Sequence, residues 1–398
     1  MRNRFFLSGL LLCVLFFTGC HKAQKKYDRA LLPGESALRK ITNPEEIPDF
    51  TFACLELKDL KAAVGNSMSY LSKPSSKNYF PMGDVTHERA KASLDAFEDL
   101  LNAKLFGAEL NRAILDKFDV YMSVGCDNEG TVLFTGYYTP IFDGSPTQTG
   151  KFRYPLYKQP ADLEKDKDGK ILGRRTGAGE ALSPYPPRAV IEDTGMLKGS
   201  EMMWLSDPFE VYIAHVQGSA KIRLPDGALT TIGYAANNGH EYESISMRMV
   251  ADGAITRSQL SLSAMIDYFK KHPEQVSKYT RLNPRYVFFR TEKGSPRGSL
   301  NEPVIPYRSI ATDKSIFPRA SLVFLDTYLP RDINGSVRDL VFRGFVLDQD
   351  TGGAIRAPGR CDVYMGQGDT AGLLAGRTYR EGKMYYLFLK SDESLPGF

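Results

Sequence analysis

The sequence has 398 residues, of which 42% are apolar and 25% charged, and its formal net charge is +4. This is an ordinary globular composition, and the length predicts roughly two to three domains. Composition excludes a disordered, collagen-like or multi-span membrane protein, and the weak charge excludes a dedicated nucleic-acid-binding protein. The 35 glycines and 23 prolines favour a β-rich fold with many turns over a helix bundle.

The N-terminus has the pattern of a lipoprotein signal. Two early arginines precede an apolar run over residues 5–17, which is shorter than a membrane span, and Thr18-Gly19-Cys20 follows. Small residues before a cysteine resemble the lipobox of bacterial lipoproteins, so we expect removal of residues 1–19 and lipidation of Cys20. An ordinary secretory signal cut near Gly19 is the alternative. His21, where an aspartate would signal retention, points to the periplasmic face of the outer membrane.

The remaining cysteines and the histidines do not suggest a metal site. Cys54, Cys126 and Cys361 allow at most one disulfide, and the sequence leaves their pairing open. The five histidines lack metal-binding spacing. The segment 348–352 begins like a calcium loop, but Gly359 stands where such a loop needs a glutamate. We therefore expect no metal.

The coarse organisation follows from periodicity. Polar residues 20–50 predict a tether and an irregular segment that leads into the first domain. Three helices are predicted, around residues 60–71, after a Thr86 cap, and over residues 110–118. From Val120, branched and aromatic residues predict short strands at 131–138, 211–216, 286–289, 322–325, 340–347, 361–364 and 384–389. Short helices are predicted at 244–250, 263–271 and 273–282.

Three aspartates in the β-rich C-terminal part are candidates for catalysis: Asp313, Asp350 and Asp362. Apolar Cys361 and Val363 flank Asp362, so on a strand they point to the opposite face. Carboxylates that lie close together raise one another's pKa, and a raised carboxyl can serve as a general acid near neutral pH. The alternative is that these residues are turn and capping aspartates beside glycines.

The same aspartates resemble the 3D domain, which is named for three aspartates and built as a double-psi β-barrel. Further hallmarks follow in order along the chain: FTGYYTP at 134–140, FRYPLY at 152–157, HVQGSA at 215–220, GYAANNGH at 233–240 and NPRYVFF at 283–289. Together, over about residues 131–389, the chain resembles the membrane-bound lytic murein transglycosylase A family.

This resemblance implies a mainly β fold with N-terminal helices. Residues 51–140 and 295–398 would form the double-psi barrel domain, and 141–294 an inserted β-rich domain, with a substrate groove between them. The family cleaves the β-1,4 bond between MurNAc and GlcNAc in peptidoglycan and leaves a 1,6-anhydro-MurNAc end. No metal or organic cofactor is implied. Endo or exo action and the oligomeric state stay open.

The resemblance also implies roles for individual residues. Asp362 matches the acid, and Asp350 and Asp313 match its supporting aspartates. Substrate contacts are implied for Gln217, Thr135, Tyr137, Tyr138 and Thr139. Cys361 departs from the family, because an aromatic residue is expected there, and residues 356–360 form a slightly longer loop.

The implied partners are peptidoglycan glycan strands and, through Cys20, the membrane; a cell-wall remodelling complex is a further expectation, and no nucleic acid is expected. Two alternatives remain from the residues alone. One is a non-catalytic peptidoglycan-binding lipoprotein, and the other is a hydrolase on the same type of barrel.

Overall fold

The computed structural model describes residues 25–166, 169–176, 182–257 and 260–391. The expected lipidation site, Cys20, lies outside the described residues. Within those ranges no helix has both the length and the apolar character needed to cross a membrane.

Runs of helices and runs of strands follow one another along the described chain. The strands in chain order are β1 (Leu38–Lys40), β2 (Phe118–Ser123), β3 (Val132–Thr139), β4 (Ile141–Ser145), β5 (Tyr154–Tyr157), β6 (Leu163–Lys165), β7 (Ile171–Arg174), β8 (Glu201–Leu205), β9 (Ala220–Arg223), β10 (Leu229–Asn237), β11 (Val287–Glu292), β12 (Ser309–Ala311), β13 (Leu322–Ile333), β14 (Ser336–Asp350), β15 (Arg360–Gln367) and β16 (Tyr379–Leu389). The helices are α1 (Leu60–Leu71), α2 (His87–Asn102), α3 (Gly107–Lys117), α4 (Arg188–Thr194), α5 (Pro208–Gln217), α6 (Ile245–Ala251), α7 (Leu262–Lys271), α8 (Val276–Thr280) and α9 (Gly368–Arg377).

The three predicted N-terminal helices are confirmed as α1, α2 and α3. The Thr86 side chain accepts a hydrogen bond from the Arg89 backbone N–H and so caps α2, as predicted. The apolar stripes of these helices are buried in one core with the barrel strands. The third helix begins earlier than predicted, at Gly107, and ends one residue earlier, because Phe118 adopts an extended backbone and begins β2.

Six strands close into a barrel. Their order is β16-β13-β14-β12-β15-β3, and β3 pairs again with β16, while β2 and β1 extend the sheet beyond β16. The long β13–β14 hairpin turns at Asn334 and Gly335, both with positive φ, as a two-residue hairpin turn requires. The strands predicted at 322–325 and 340–347 are the inner parts of this longer hairpin. The predicted barrel domain is therefore confirmed.

A second β-rich domain lies between β3 and β12 in the chain. Its six-stranded sheet has the order β11-β10-β9-β4-β8-β5, and its apolar residues form cores separate from that of the barrel. The chain enters this sheet through Pro140, directly after β3. The predicted second β-rich domain is confirmed.

One strand prediction in this domain is wrong. Residues 211–216 belong to α5, which begins after Asp207, whose side chain accepts from the Phe209 N–H at 2.7 Å. Phe209, Tyr212 and Ile213 are buried, and their spacing is that of one helix face. The β-branched content of 211–216 was therefore misleading, and the Asp-Pro start was the better signal.

The three cysteines beyond Cys20 are free and buried. Cys361, which stands where the family resemblance implies an aromatic residue, is fully buried in the barrel core. No disulfide therefore links Cys54, Cys126 and Cys361.

Candidate functional site

Asp362 lies on the face of β15 that points away from the barrel core. Its neighbours Cys361 and Val363 are fully buried in that core, whereas Asp362 itself is half-buried. The alternation expected from the sequence is thus present. It leaves one carboxyl on a strand surface that a ligand can reach.

A continuous row of residues crosses the barrel wall at Asp362. In the strand register, Asp350 is paired with Ala311, Ala311 with Asp362, Asp362 with Thr135, and Thr135 with Tyr379. Neighbouring strands lie about 4.8 Å apart, so the backbones of Asp350 and Tyr379 are each about 10 Å from that of Asp362. Asp362 therefore occupies the middle of the row.

In the part of the chain that the structure describes, the carboxyl of Asp362 has one direct hydrogen-bond partner. The Thr135 hydroxyl donates to Asp362 Oδ1, and Arg360 Nη2 in turn donates to Thr135 Oγ1 at 3.4 Å. Burial raises the pKa of Asp362, while the Thr135 hydrogen bond and the Arg360 charge partly oppose that rise. The raised pKa was expected from repulsion between aspartates; in the structure its cause is burial.

Asp350 is held by the backbone at the end of β14. Its Oδ1 accepts from the N–H groups of Ser299 and Thr351, each at 2.8 Å. Burial also raises the pKa of Asp350, and the buried Tyr137 hydroxyl lies beside it without a hydrogen bond of good geometry. Gly298 permits this arrangement, because a Cβ there would lie 2.7 Å from the Gln349 carbonyl oxygen.

Asp313 is engaged in holding two loops together. Its Oδ1 accepts from the backbone N–H and the hydroxyl of Ser315, at 3.1 and 2.6 Å. Its Oδ2 accepts from the Ala357 N–H at 3.0 Å. These contacts are those of a turn and capping aspartate, and they fix the loop between Asp350 and Asp362.

The expected substrate contacts on β3 divide between two faces. Every second residue of β3 faces the same side as Asp362, and these residues are Thr135, Tyr137 and Thr139. The Tyr137 ring packs against Tyr364, whose hydroxyl shares a hydrogen bond with Thr139. Tyr138 points the other way and is buried against α9, with its pKa raised to about 12 by burial. Thr135 and Tyr137 are thus the members nearest to the acid.

Gln217 connects the two domains. It lies at the C-terminus of α5, which ends at Gly218 in a left-handed conformation, and its Oε1 accepts from the Tyr138 N–H at 3.2 Å. Neither ring nitrogen of His215 has a hydrogen-bond partner among the described residues, and the ring packs against Tyr286. Burial lowers the pKa of His215 well below its usual value, so the ring is neutral.

The sequence reasoning missed an ion pair behind the site. Asp348 is fully buried and accepts from Lys314, from the Thr312 hydroxyl at 2.7 Å and from the Tyr386 hydroxyl at 2.9 Å. Burial lowers the pKa of Lys314. Lys314 directly follows Asp313 in the chain, but only the closed barrel brings it to Asp348.

Arg360 and Tyr379 were also missed. For Arg360 a signal existed, because a residue two positions from Asp362 on a strand must share its face. No local pattern could identify Tyr379, since its place beside Thr135 depends on β16 returning to β3.

The two domains meet beside the site. A Cβ at Gly353, in the loop after Asp350, would lie 3.3 Å from Arg285 Nε and 3.4 Å from Tyr242 Cβ in the second domain. In the same loop, Arg356 forms an ion pair with Glu241 at 3.6 Å. The loop between Asp350 and Asp362 therefore also contacts the second domain.

An open concavity of about 540 Å³ lies elsewhere, on the second domain. Its lining residues are Gln148, Tyr157, Gly195, Lys198, Gly199, Glu201 and Trp204. No residue of the Asp362 row lines it, so we place the candidate active site on the barrel row and not in this concavity. Among the described residues, no group of three or more His, Cys, Asp or Glu side chains is placed to hold a metal ion.

Comparison with known proteins identifies the family and the fold. Residues 133–290 match the family model described as the MltA-specific insert domain, and residues 308–388 match the 3D domain. The chain is 30% identical over 354 residues to membrane-bound lytic murein transglycosylase A of Escherichia coli (strain K12), which covers 87% of each chain.

Two solved structures share the fold. A membrane-bound lytic murein transglycosylase from Agrobacterium tumefaciens has a TM-score of 0.73 and 24% identity, covering 89% of this chain and 98% of that one. The E. coli MltA structure with bound chitohexaose has a TM-score of 0.68 and 23% identity, covering 92% of this chain and all of that one (100%).

Proposed function

Since the chain belongs to the membrane-bound lytic murein transglycosylase A family, we propose that it cleaves the β-1,4 bond between MurNAc and GlcNAc and leaves a 1,6-anhydro-MurNAc end. The protein is a lytic transglycosylase, an enzyme acting on peptidoglycan. The observation that carries the finer proposal is Asp362, a reachable carboxyl whose pKa is raised by burial and which no cation of the described residues contacts directly.

In the proposed reaction Asp362 acts first as an acid. Its proton passes to the glycosidic oxygen, the C1–O4 bond breaks, and GlcNAc leaves as an alcohol. The C6 hydroxyl oxygen of MurNAc then bonds to C1, and its proton returns to the Asp362 carboxylate. No water is consumed, and Asp362 ends the cycle protonated, ready for the next bond.

One carboxyl is sufficient in this scheme because the nucleophile belongs to the substrate. Ordinary glycosidases need a second carboxyl to activate water or to attack the sugar. An intramolecular hydroxyl can reach an effective molarity of about 10⁵ M or more, which replaces much of that second group's contribution. A pKa above the usual aspartate range favours the protonated starting state.

The neighbours of Asp362 have supporting roles in this proposal. Thr135 orients the acid through its hydrogen bond, and Asp350 contributes a second polar group at the far end of the row. Asp313 acts through the loop that it holds. Direct substrate contact fits Thr135 and Tyr137 best, because both share the face of Asp362.

Gln217, Tyr138 and Thr139 enter the proposal as residues that shape the groove. The amide of Gln217 is bonded to the Tyr138 backbone, and Thr139 is bonded to Tyr364. The Gln217 side-chain N–H₂ stays available for a sugar hydroxyl. We keep the division into residues 51–140 with 295–398, and 141–294, as the proposed domain boundaries.

The cellular setting is part of the same proposal. Lipidation of Cys20, after removal of residues 1–19, would anchor the enzyme to the periplasmic face of the outer membrane, where its glycan substrate lies. The support for this is the signal pattern in the sequence. Association with a wall-remodelling complex would follow from that location.

Mass spectrometry of digested murein sacculi tests the function. We expect products that lack the mass of one water per cut, which is the signature of anhydro ends. Products that include the water would indicate a hydrolase, and intact sacculi with bound protein would indicate a non-catalytic binder; either result contradicts the proposal. Asp362→Asn, treated identically, is the control for contaminating activity.

A further inference from the structure

We propose that Tyr379 is a sugar-stacking residue of the substrate groove, which holds a pyranose ring of the glycan strand next to the ring being cleaved. The inference rests on the proposed transglycosylase function. Its ligand class is an N-acetylated β-1,4-linked hexose, whose apolar C–H face suits an aromatic ring.

The strand register places Tyr379 on the substrate side of the barrel. Thr135 pairs with Asp362 on one side and with Tyr379 on the other. Residues paired across a sheet project from the same face, so the Tyr379 side chain stands in line with the acid and its hydroxyl partner. Two strand spacings, about 10 Å, separate the backbones of Tyr379 and Asp362, which suits an adjoining sugar and not the reacting one.

The Tyr379 side chain is largely exposed to solvent. Its residue is 59% exposed, and the ring stacks on no other described aromatic residue. The neighbouring Thr378, by contrast, is buried, and its hydroxyl donates to the Leu374 carbonyl at 2.8 Å. A buried, hydrogen-bonded residue at the end of α9 is therefore followed directly by an exposed aromatic side chain.

The backbone under Tyr379 is held firmly by that helix end. Gly136, next to Thr135 on β3, packs against α9 so closely that a Cβ there would lie 2.8 Å from the Ala375 Cα and 3.0 Å from the Thr378 hydroxyl. This close approach holds the backbone at the start of β16 close to β3, the strand that pairs with the acid's strand. Binding then has to order only the side-chain torsions of Tyr379, and not its backbone.

The adjacent row of the same face is contacted by the N-terminal segment, whereas the Tyr379 ring is left exposed. Glu381 pairs with Leu133, and residues of the N-terminal segment bind its carboxylate. There the Tyr27 hydroxyl donates to Glu381 Oε1 at 2.6 Å, and Lys25 Nζ donates to Glu381 Oε2 at 3.0 Å. Segment 25–27 thus forms a wall beside the proposed stacking position.

The chain contains a matched control. Tyr328, on the β13–β14 hairpin of the same domain, is 50% exposed but does not belong to the Asp362 row. A general effect of removing an exposed tyrosine would appear equally at Tyr328 and Tyr379. A groove contact would appear only at Tyr379.

The test measures calorimetric binding of chitohexaose to the full mature chain carrying Asp362→Asn, so that no cleavage interferes. We expect Tyr379→Ala to weaken binding about 10-fold relative to this parent. Tyr379→Leu should also bind more weakly than the parent, and Tyr379→Phe should bind almost as well, because the aromatic ring and not the hydroxyl makes the contact. Tyr328→Ala should bind as the parent does. Melting curves confirm that each variant is folded.

Unchanged binding by both Tyr379→Ala and Tyr379→Leu overturns the inference. Loss of binding in Trp204→Ala with no loss in Tyr379→Ala also overturns it, since the sugar would then lie in the concavity of the second domain. In the chain with Asp362 intact, Tyr379→Ala should raise KM on murein more than it lowers kcat. The product masses test the proposed function separately, so weak binding and absent chemistry are distinguishable.

Discussion

Two aspartates of the barrel, Asp348 and Asp362, differ in their surroundings and in their proposed roles. Asp348 stabilises the fold from inside the barrel, and Asp362 is the proposed acid on its outer face. Asp348 is fully buried and is neutralised by Lys314 and bonded to two hydroxyl groups. Asp362, twelve positions after Asp350, faces the surface row and receives a single hydroxyl. Asp348 is fully buried and Asp362 half-buried, and among the described residues only Asp348 has a directly paired cation.

The difference between these carboxylates lies in what replaces the lost water. A buried charge is tolerated when an opposite charge and hydrogen bonds compensate its desolvation. Without them the pKa of a buried carboxyl rises, which favours its neutral form. Carboxyls with shifted pKa values are found preferentially at functional sites. The comparison therefore predicts opposite outcomes for the same Asp-to-Asn change at the two positions.

The largest expected effect is on turnover. Asp362→Asn should lower the rate of anhydro-muropeptide release by about 10²–10⁴-fold, because an amide cannot donate the proton, and general acid catalysis contributes on that scale. The folded structure and chitohexaose binding should be retained. The matched control is Asp267→Asn, an exposed aspartate on α7. Wild-type rates in Asp362→Asn would remove this residue from the mechanism.

Asp348→Asn should instead cost stability. Leaving Lys314 buried without its partner should lower the free energy of unfolding by about 3–5 kcal/mol, as measured by urea denaturation. Lys314→Met should restore part of that loss when combined with Asp348→Asn. If the two substitutions were simply additive, the pair would not be the compensated unit that the comparison requires.

A smaller effect is expected on the pH profile. Thr135→Val removes the hydrogen bond that favours the ionised form of Asp362, so the pKa of Asp362 should rise further. Because the reaction starts from the protonated acid, the fall of kcat/KM with rising pH should move upward, by about one pH unit. Thr135→Ser should return the midpoint to its original position. A midpoint that stays fixed in Thr135→Val would argue against control of the acid by this hydroxyl.

Much of the barrel face that carries Asp362 was predictable from local sequence patterns. The remaining contacts depend on strands that meet only when the barrel closes. The apolar neighbours of Asp362 predicted its orientation, and Thr86 predicted the start of α2, because both are decided within a few residues. Tyr379 and the pairing of Lys314 with Asp348 depend on strands that are distant in the sequence. The cause of the raised pKa of Asp362 also required the packed surroundings, since burial cannot be read from neighbouring aspartates.

The smallest expected effect is a gain in stability, whereas most substitutions destabilise a protein. Burial raises the pKa of Asp362 in the folded state above its value in the unfolded chain. The stability associated with the protonated group is present below the ordinary aspartate pKa, about 3.9, and is lost as the pH rises through the folded-state pKa. Asp362→Asn carries no charge and avoids that loss. It should therefore be more stable than wild type at neutral pH, by about 1 kcal/mol, and the advantage should vanish in acid. Thermal unfolding of both proteins across this range measures the difference; equal stability at every pH would mean that the Asp362 carboxylate is as well solvated in the folded protein as in the unfolded chain.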